Sequence, residues 1–232
     1  MEKTLSYRLA KILRSKLERR IHALEPRAIL PVNLFAWASE VEKFYPQIRR
    51  EAEAILYKDR EIINFDQVLP NQRALYQGQQ WKSFFLYVGG QEVPDHARVC
   101  PQTMRGLQKI PGLINAFFSI LGPGTHIPAH RGPYAGILRY HLGIMIPEGD
   151  VGIRVDQEVC RWREGQSLFF DDSFEHEAWN RSDTARVILF VDLVRPLPFP
   201  LSLLNCGLLT IFKRSREAEY AYAQVMDHQV KF

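Results

Sequence analysis

Short apolar segments separated by turn residues fill the chain from Trp81 to Val194, and this pattern restricts the fold more than any other feature of the sequence. Apolar and β-branched residues dominate Ala185–Val194, and Val151–Val155 and Glu158–Trp162 flank a predicted two-residue hairpin turn. Such segments are typical of strands, and the Gly, Pro and Asp turns between them favour antiparallel pairing. We therefore predict a mainly β protein with a jelly-roll core.

A few polar side chains interrupt the predicted strands, and strand geometry places them on shared faces. Successive side chains point to opposite faces of a sheet, so Arg139 and His141, two residues apart, share a face. Arg186 shares a face with the apolar Ile188, and Ser119 has hydrophobic neighbours. A buried arginine needs a partner, and its guanidinium group matches a carboxylate with two parallel hydrogen bonds. These residues predict a common pocket that binds a dicarboxylate.

Two histidines, His130 and His176, are candidate metal ligands upstream of Arg186. Imidazole nitrogen suits Fe(II), and many non-heme iron oxygenases hold the metal with two histidines and one carboxylate. The carboxylate usually follows the first histidine by two residues, but here that position is Gly132, which offers no ligand atom. Either histidine alone is more often a hydrogen-bonded core residue than a ligand. Their combination with Arg186 favours an iron site with two protein ligands.

Other polar residues near the two histidines are interpreted as structural. His126 lies four residues before the first of them, which is the spacing of a helical zinc site, but the nearby Pro128 argues against a helix. Asp171 and Asp172 shortly precede the second histidine. Their position favours turn residues or acceptors that orient an imidazole over direct metal ligands.

The segment from about Phe117 to Pro196 resembles the aspartyl/asparaginyl β-hydroxylase family of Fe(II)/2-oxoglutarate dioxygenases. The resemblance rests on ordered motifs, which are Pro123-Gly-Thr-His126, His130-Arg-Gly132-Pro133, Leu138-Arg-Tyr-His-Leu-Gly143, Trp162-Arg-Glu-Gly165, Phe170-Asp-Asp-Ser-Phe-Glu-His176 and Val191-Asp-Leu-Val-Arg-Pro196. The family implies a double-stranded β-helix, in agreement with the predicted jelly roll, and N-terminal α-helices are predicted to buttress one sheet. The family also lacks the carboxylate ligand, so Gly132 is expected of a member.

The resemblance also implies roles for individual residues. His130 and His176 are implied to bind Fe(II), with no catalytic residue beyond the metal centre. The cosubstrate 2-oxoglutarate is assigned to four side chains, which are Ser119, Arg139, His141 and Arg186. Ser119 and Arg186 are implied to hold its distal carboxylate, and the other two to lie near its metal-bound end. The implied reaction uses O2 and 2-oxoglutarate to hydroxylate an unactivated C–H, with succinate and CO2 as coproducts.

The sequence leaves more than one substrate class open. The family name and Arg139, which can recognise an acidic group, favour the β-carbon of an aspartyl or asparaginyl residue in a peptide or small conjugate. The alternative is a fatty acyl chain of a lipid, because residues 130–143 are also similar to a related branch that hydroxylates lipid A. A second alternative is a non-catalytic metal-binding β-barrel. That alternative does not need the four predicted cosubstrate residues together, so their presence disfavours it.

The sequence divides into a helical extension over residues 1–75, a dioxygenase domain over 76–200 and a C-terminal extension over 201–232. Residues 1–20 contain seven basic and two acidic residues, whereas the whole chain has a net charge of +4. Apolar residues recur at helical spacing from Leu5 to Leu24, which predicts an amphipathic cationic helix. This helix either contacts anionic lipid through residues 1–24 or packs its apolar stripe on the domain. Because the positive charge is confined to it and no recognition motif is present, nucleic acid is not expected as a partner.

The remaining segments add smaller expectations. A second helix is predicted over residues 34–57, with Pro46 as an interruption. The apolar run over residues 201–212 is too short to span a bilayer, so it is expected to pack on the core or to contact an interface. The three cysteines are odd in number and widely separated, which predicts free thiols in a reducing compartment. The expected location is cytoplasmic, with peripheral contact at the inner face of the membrane as the alternative.

Overall fold

The described part of the chain folds around two β-sheets. The computed structural model describes residues 2–58, 62–68, 80–213 and 216–227, so the predicted boundary between residues 75 and 76 lies outside the described residues. The strands are β1 (Ile29–Leu30), β2 (Ile63–Asn64), β3 (Trp81–Val88), β4 (Gln91–Glu92), β5 (Leu113–Leu121), β6 (Thr125–His130), β7 (Ile137–Met145), β8 (Val151–Val155), β9 (Glu158–Cys160), β10 (Ser167–Phe170), β11 (His176–Asn180) and β12 (Arg186–Val194).

The strands from β5 to β12 alternate between the two sheets, except that β8 and β9 form a hairpin within the small sheet. The large sheet has the order β1-β10-β7-β12-β5-β3-β2, with β4 paired to β3. The small sheet has the order β6-β11-β8-β9, and it contains the predicted hairpin, where Asp156 adopts a φ of 52°. Two facing antiparallel sheets with this connectivity form a jelly roll, or double-stranded β-helix. The predicted fold class is confirmed.

The large sheet has one face toward the small sheet and one face toward helices. On β12, Ile188 and Phe190 lie in the core between the sheets. Val187, Leu189 and Val191 lie in a second core on the opposite face, where helices cover the sheet. The predicted alternation of β12 is therefore confirmed, and it leaves the space between the sheets for the few polar side chains.

The helices cover the outer face of the large sheet and frame one edge of the barrel. They are α1 (Glu2–Leu24), α2 (Ala38–Glu42), α3 (Tyr45–Lys58), α4 (Phe65–Val68), α5 (Pro94–Val99), α6 (Pro101–Leu107), α7 (Leu201–Lys213) and α8 (Arg216–Asp227). Ile48 and Ala52 of α3 share the outer core with Met104 and Leu107 of α6 and with strand residues of the large sheet. The predicted N-terminal helical buttress is confirmed.

Two helix predictions need correction. The single helix predicted over residues 34–57 is instead a 3-10 turn at Val32–Leu34 followed by α2 and α3. Pro46 does not interrupt a helix, because it lies in the first turn of α3. Backbone N–H groups in the first turn have no intrahelical acceptor, so a proline there costs no helical hydrogen bond. Helices α5 and α6 were not predicted, although Pro94 and Pro101 begin them in the same way.

The first helix and the C-terminal apolar run pack against each other. Leu17 and Ile21 of α1 share a small apolar core with Leu208 and Leu209 of α7, so the C-terminal run packs on the first helix. Ile12, Leu13 and Leu24 of the predicted apolar stripe are instead exposed. Among the described residues, no helix has both the length and the apolar character needed to cross a membrane. The three cysteines are free thiols, as predicted.

Candidate active site

Two imidazoles face each other at one end of the small sheet. His130 of β6 and His176 of β11 are paired across the two strands, and their ring centroids are 4.1 Å apart. The Nδ1 atom of His130 lies 2.8 Å from the carbonyl oxygen of Pro128, and Nδ1 of His176 lies 3.0 Å from that of Phe174. A carbonyl accepts only from a protonated nitrogen, so each Nδ1 carries the proton and each Nε2 keeps its lone pair. Each ring therefore presents an unprotonated Nε2, which is the atom that would bind a metal.

The electrostatic surroundings keep these two imidazoles neutral. Burial lowers the pKa of His130, and burial together with Arg139 lowers the pKa of His176 to about 3. Neutral imidazole is the form that binds a metal. Among the described residues, no cluster of three or more His, Cys, Asp and Glu side chains is placed to hold a metal ion. His130 and His176 remain the two candidate protein ligands, and Gly132 offers no ligand atom beside them.

A carboxylate fills the space beside Gly132. A Cβ atom added to Gly132 would lie 2.0 Å from Oδ2 of Asp172, which is too close for any side chain. Asp172 is buried, and its Oδ2 pairs with Arg139 at 2.8 Å. Asp171 pairs with the buried Arg195 and accepts from the backbone N–H of Ser173. The turn role of Asp171 is therefore confirmed. The orienting role predicted for Asp171 and Asp172 was wrong, because backbone carbonyls hold the imidazoles of His130 and His176.

Arg186 lies deep between the sheets, and the described part of the chain gives it no ionic partner. Its side chain is buried, and its Nη1 atom is 3.3 Å from the carbonyl oxygen and 3.4 Å from the hydroxyl oxygen of Ser119. Its Nε has no acceptor, and no carboxylate among the described residues forms an ion pair with it. The guanidinium carbon lies 4.7 Å from the ring centroid of Trp162, and burial lowers the pKa of Arg186 to about 9. An uncompensated buried charge is costly, so this site is suited to an anionic ligand.

His141 adds a second unsatisfied donor to the same space. Its Nδ1 accepts a hydrogen bond from Nε1 of Trp162 at 3.2 Å, which places the proton of the neutral ring on Nε2. That Nε2 is buried and has no partner, and burial holds the pKa of His141 well below its usual range. His141, Arg186 and Ser119 line one narrow cavity that also reaches both candidate metal ligands. The role of Trp162 was not predicted, although its motif had been recognised.

Arg139 lies between the narrow cavity and a wider one. Its Nε is 3.1 Å from Oδ1 of Asp192, and its Nη2 is 2.8 Å from Oδ2 of Asp172. Its Nη1 is 3.4 Å from Nε2 of His176. The guanidinium carbon also lies 4.4 Å from the ring centroid of Phe190. Two carboxylates therefore compensate the charge of Arg139, and neither partnership was predicted from the sequence.

The wide cavity has a volume of about 290 Å³ and begins at His130. Its inner end is polar, with Arg139, Asp172 and Asp192, and the two cavities share His130, Arg139, Trp81 and Phe190. The rest of its wall is mainly apolar, and the apolar lining residues are Phe65, Val68, Trp81, Phe85, Val88, Ile114, Phe117, Ile137, Phe190, Leu209 and Ala221. Helices α4, α7 and α8 supply part of this lining from outside the jelly roll. Of these residues, the sequence placed only Trp81 near the pocket, because Trp81-Lys-Ser-Phe84 resembles a family segment that closes part of it.

The comparisons with known proteins agree with this geometry. An ornithine lipid ester-linked acyl 2-hydroxylase from Rhizobium tropici is 47% identical over 179 residues, which are 76% of this chain and 64% of that protein. The human aspartyl/asparaginyl beta-hydroxylase is 35% identical over 163 residues, which are 67% of this chain and 21% of that protein. The chain thus spans less than two thirds of the length of either relative.

A solved structure and a family model extend the comparison. A Pseudomonas putida prolyl-4-hydroxylase aligns with 66% of this chain and 88% of its own length, at 14% identity and a TM-score of 0.42. The model of the aspartyl/asparaginyl beta-hydroxylase family matches residues 42–196. That match includes the paired imidazoles and the narrow cavity, and it covers well over half of the 232 residues. The chain belongs to the aspartyl/asparaginyl beta-hydroxylase family, which is a family of hydroxylases.

Proposed function

We propose that this protein is an Fe(II)- and 2-oxoglutarate-dependent dioxygenase that hydroxylates a fatty acyl chain of a lipid. The observation that carries the proposal is the largely apolar cavity that extends from helices α4, α7 and α8 to the imidazole of His130. A mainly apolar wall with a polar inner end suits a hydrocarbon chain whose reacting carbon lies near a metal centre.

The paired imidazoles support iron as the metal. Two neutral imidazoles with Nε2 lone pairs on the cavity side form a donor set that suits Fe(II), and His130 and His176 would hold it. Bound iron would activate O2, the oxidant; 2-oxoglutarate would be oxidised to succinate and CO2 as one oxygen atom enters the substrate C–H and the other enters succinate. The protein contributes the orientation of both rings, through the carbonyls of Pro128 and Phe174, and an apolar surrounding that excludes water.

The unsatisfied donors support 2-oxoglutarate as the cosubstrate. Arg186 and Ser119 would hold its distal carboxylate, which would supply the counter-ion that the buried guanidinium lacks among the described residues. His141 would donate from Nε2 to an oxygen nearer the imidazoles. Arg139 would complete that end of the site, held in position by Asp172 and Asp192. A ligand with two carboxylates satisfies donors at both ends of the narrow cavity.

The acyl chain is preferred to an aspartyl or asparaginyl group for two reasons. Recognition of an acidic side chain by Arg139 is the basis of the peptide alternative, but Asp172 and Asp192 already compensate that charge. The R. tropici relative, with 47% identity, is a lipid acyl hydroxylase by name. The peptide reaction remains the second candidate, because the family and the human relative carry that name.

Two measurements test this proposal. The purified protein should form succinate from 2-oxoglutarate only with Fe(II) and O2, and His176→Ala should form none. Lipid and peptide fractions from cells with and without the protein should then be compared for a mass increase of one oxygen. An increase confined to acyl chains is expected. An increase confined to peptides would reject the lipid substrate but leave the dioxygenase assignment, and no succinate would favour a non-catalytic barrel.

A further inference from the structure

Helix α7 has an outward face that is apolar and exposed. Leu203 and Ile211 are 66% and 65% exposed, and Phe199, just before the helix, is 82% exposed. Leu204 is exposed on the same side, and the helix has no charged residue before Lys213. The inner face of α7 already packs on α1, so this outward stripe is not required for the core. Contiguous exposed apolar side chains of this kind mark an interaction surface.

Helix α1 lies beside α7 and adds positive charge. Ile12 and Leu13 are exposed, and so are Lys16, Arg19 and Arg20 on the same helix. Leu17 and Ile21 hold α1 against α7, so these basic residues belong to the helix that packs beside the apolar stripe. We name the exposed residues of these two helices the α1–α7 surface.

The α1–α7 surface borders the wide cavity. Leu209 of α7 and Pro133 both line that cavity. The guanidinium group of Arg14, on α1, donates a hydrogen bond to the carbonyl oxygen of Pro133. Arg131, which is exposed, lines the cavity beside them. A chain that enters the cavity near these residues therefore passes close to both helices.

We infer that the α1–α7 surface docks on an anionic lipid bilayer and delivers an acyl chain to the wide cavity. An apolar stripe flanked by lysine and arginine inserts into the interface while its basic residues attract anionic headgroups. A second copy of the chain fits less well, because two such surfaces would bring like charges together. The inference rests on the proposed lipid substrate, but binding to a bilayer can be measured without turnover.

The test is co-sedimentation of the full chain with vesicles, in the absence of iron and 2-oxoglutarate. Vesicles of phosphatidylcholine with phosphatidylglycerol should bind the protein, and vesicles of phosphatidylcholine alone should bind it more weakly. The double variant Leu203→Ser, Ile211→Ser should weaken binding by about tenfold for each side chain removed from the interface. The variant Lys16→Gln, Arg19→Gln, Arg20→Gln should lose the preference for anionic vesicles. Val159→Ser, an exposed apolar position on β9, is the matched control and should bind like the wild type.

The outcomes separate docking from catalysis. Equal binding by the wild type and both α1–α7 variants would overturn the docking inference, even if detergent-dispersed lipid were still hydroxylated. Vesicle binding that depends on these residues would support docking, even if the modified substrate proved to be a peptide. A dimer in sedimentation velocity that the double variant converts to a monomer, with no vesicle binding, would overturn the inference and identify the surface as a subunit contact.

Discussion

Replacement of Arg186 by methionine should make the ligand-free protein more stable and greatly lower its affinity for 2-oxoglutarate. The guanidinium group is buried, and none of the described carboxylates pairs with it. Replacement of even a paired buried charge by hydrophobic residues is often neutral or stabilising by about 1–4 kcal/mol, and Arg186 has no ion pair among the described residues to offset its desolvation. We therefore expect the free energy of unfolding of Arg186→Met, without ligands, to rise by about 1 kcal/mol or more.

The same variant should lose its response to 2-oxoglutarate. Removal of one partner from a buried charge pair costs about 3–5 kcal/mol, so the affinity for the cosubstrate should fall at least roughly a hundredfold. A ligand at a hundred times its Kd stabilises a protein by about 2.7 kcal/mol. Anaerobic denaturation with Fe(II), with and without 2-oxoglutarate, should show this increment for the wild type and not for Arg186→Met.

Arg181 provides a matched control for this measurement. Its side chain is 64% exposed and pairs with Asp150 at 2.8 Å, so Arg181→Met should change stability by about 0–1 kcal/mol and leave the 2-oxoglutarate response intact. The reasoning would be refuted if Arg186→Met kept the wild-type increment and the wild-type KM for 2-oxoglutarate.

Three further predictions follow from the same site. His176→Ala should abolish iron retention and turnover, whereas His126→Ala should keep both, because His126 is a half-exposed partner of Glu177; iron titration distinguishes them. Gly132→Ala should destabilise the fold by about 1–3 kcal/mol in chemical denaturation, because its Cβ would lie 2.0 Å from Asp172, and an unchanged value would contradict this packing. In the metal-free protein, burial lowers the pKa of His176 from 6.5 to about 3. The neutral buried imidazole therefore costs no stability above pH 6.5, and the free energy of unfolding falls between pH 6.5 and 3 because only the unfolded state takes up the proton. His176→Gln should therefore flatten the acid loss of stability by up to about 1.4 kcal/mol per pH unit, and parallel profiles would contradict the assignment.

Local periodicity was sufficient for the parts of the site that lie on regular strands. Side chains alternate along a strand, so the sequence alone predicts that Arg186 faces away from Val187, and that Arg139 and His141 share a face. These inferences hold because each depends on residues only a few positions apart.

Contacts between distant segments were decided only by the tertiary structure. The compensation of Arg139 by Asp172 and Asp192 depends on β7, β12 and the loop before β11 meeting in one place. The apolar wall contributed by Leu209 and Ala221 depends on how the C-terminal helices pack against the barrel. The sequence by itself therefore determined the jelly roll and the strand faces on which Arg186, Arg139 and His141 lie. The tertiary structure decided the charge balance of Arg139 and the shape of the substrate cavity, because both arise from packing between segments that local sequence patterns do not relate.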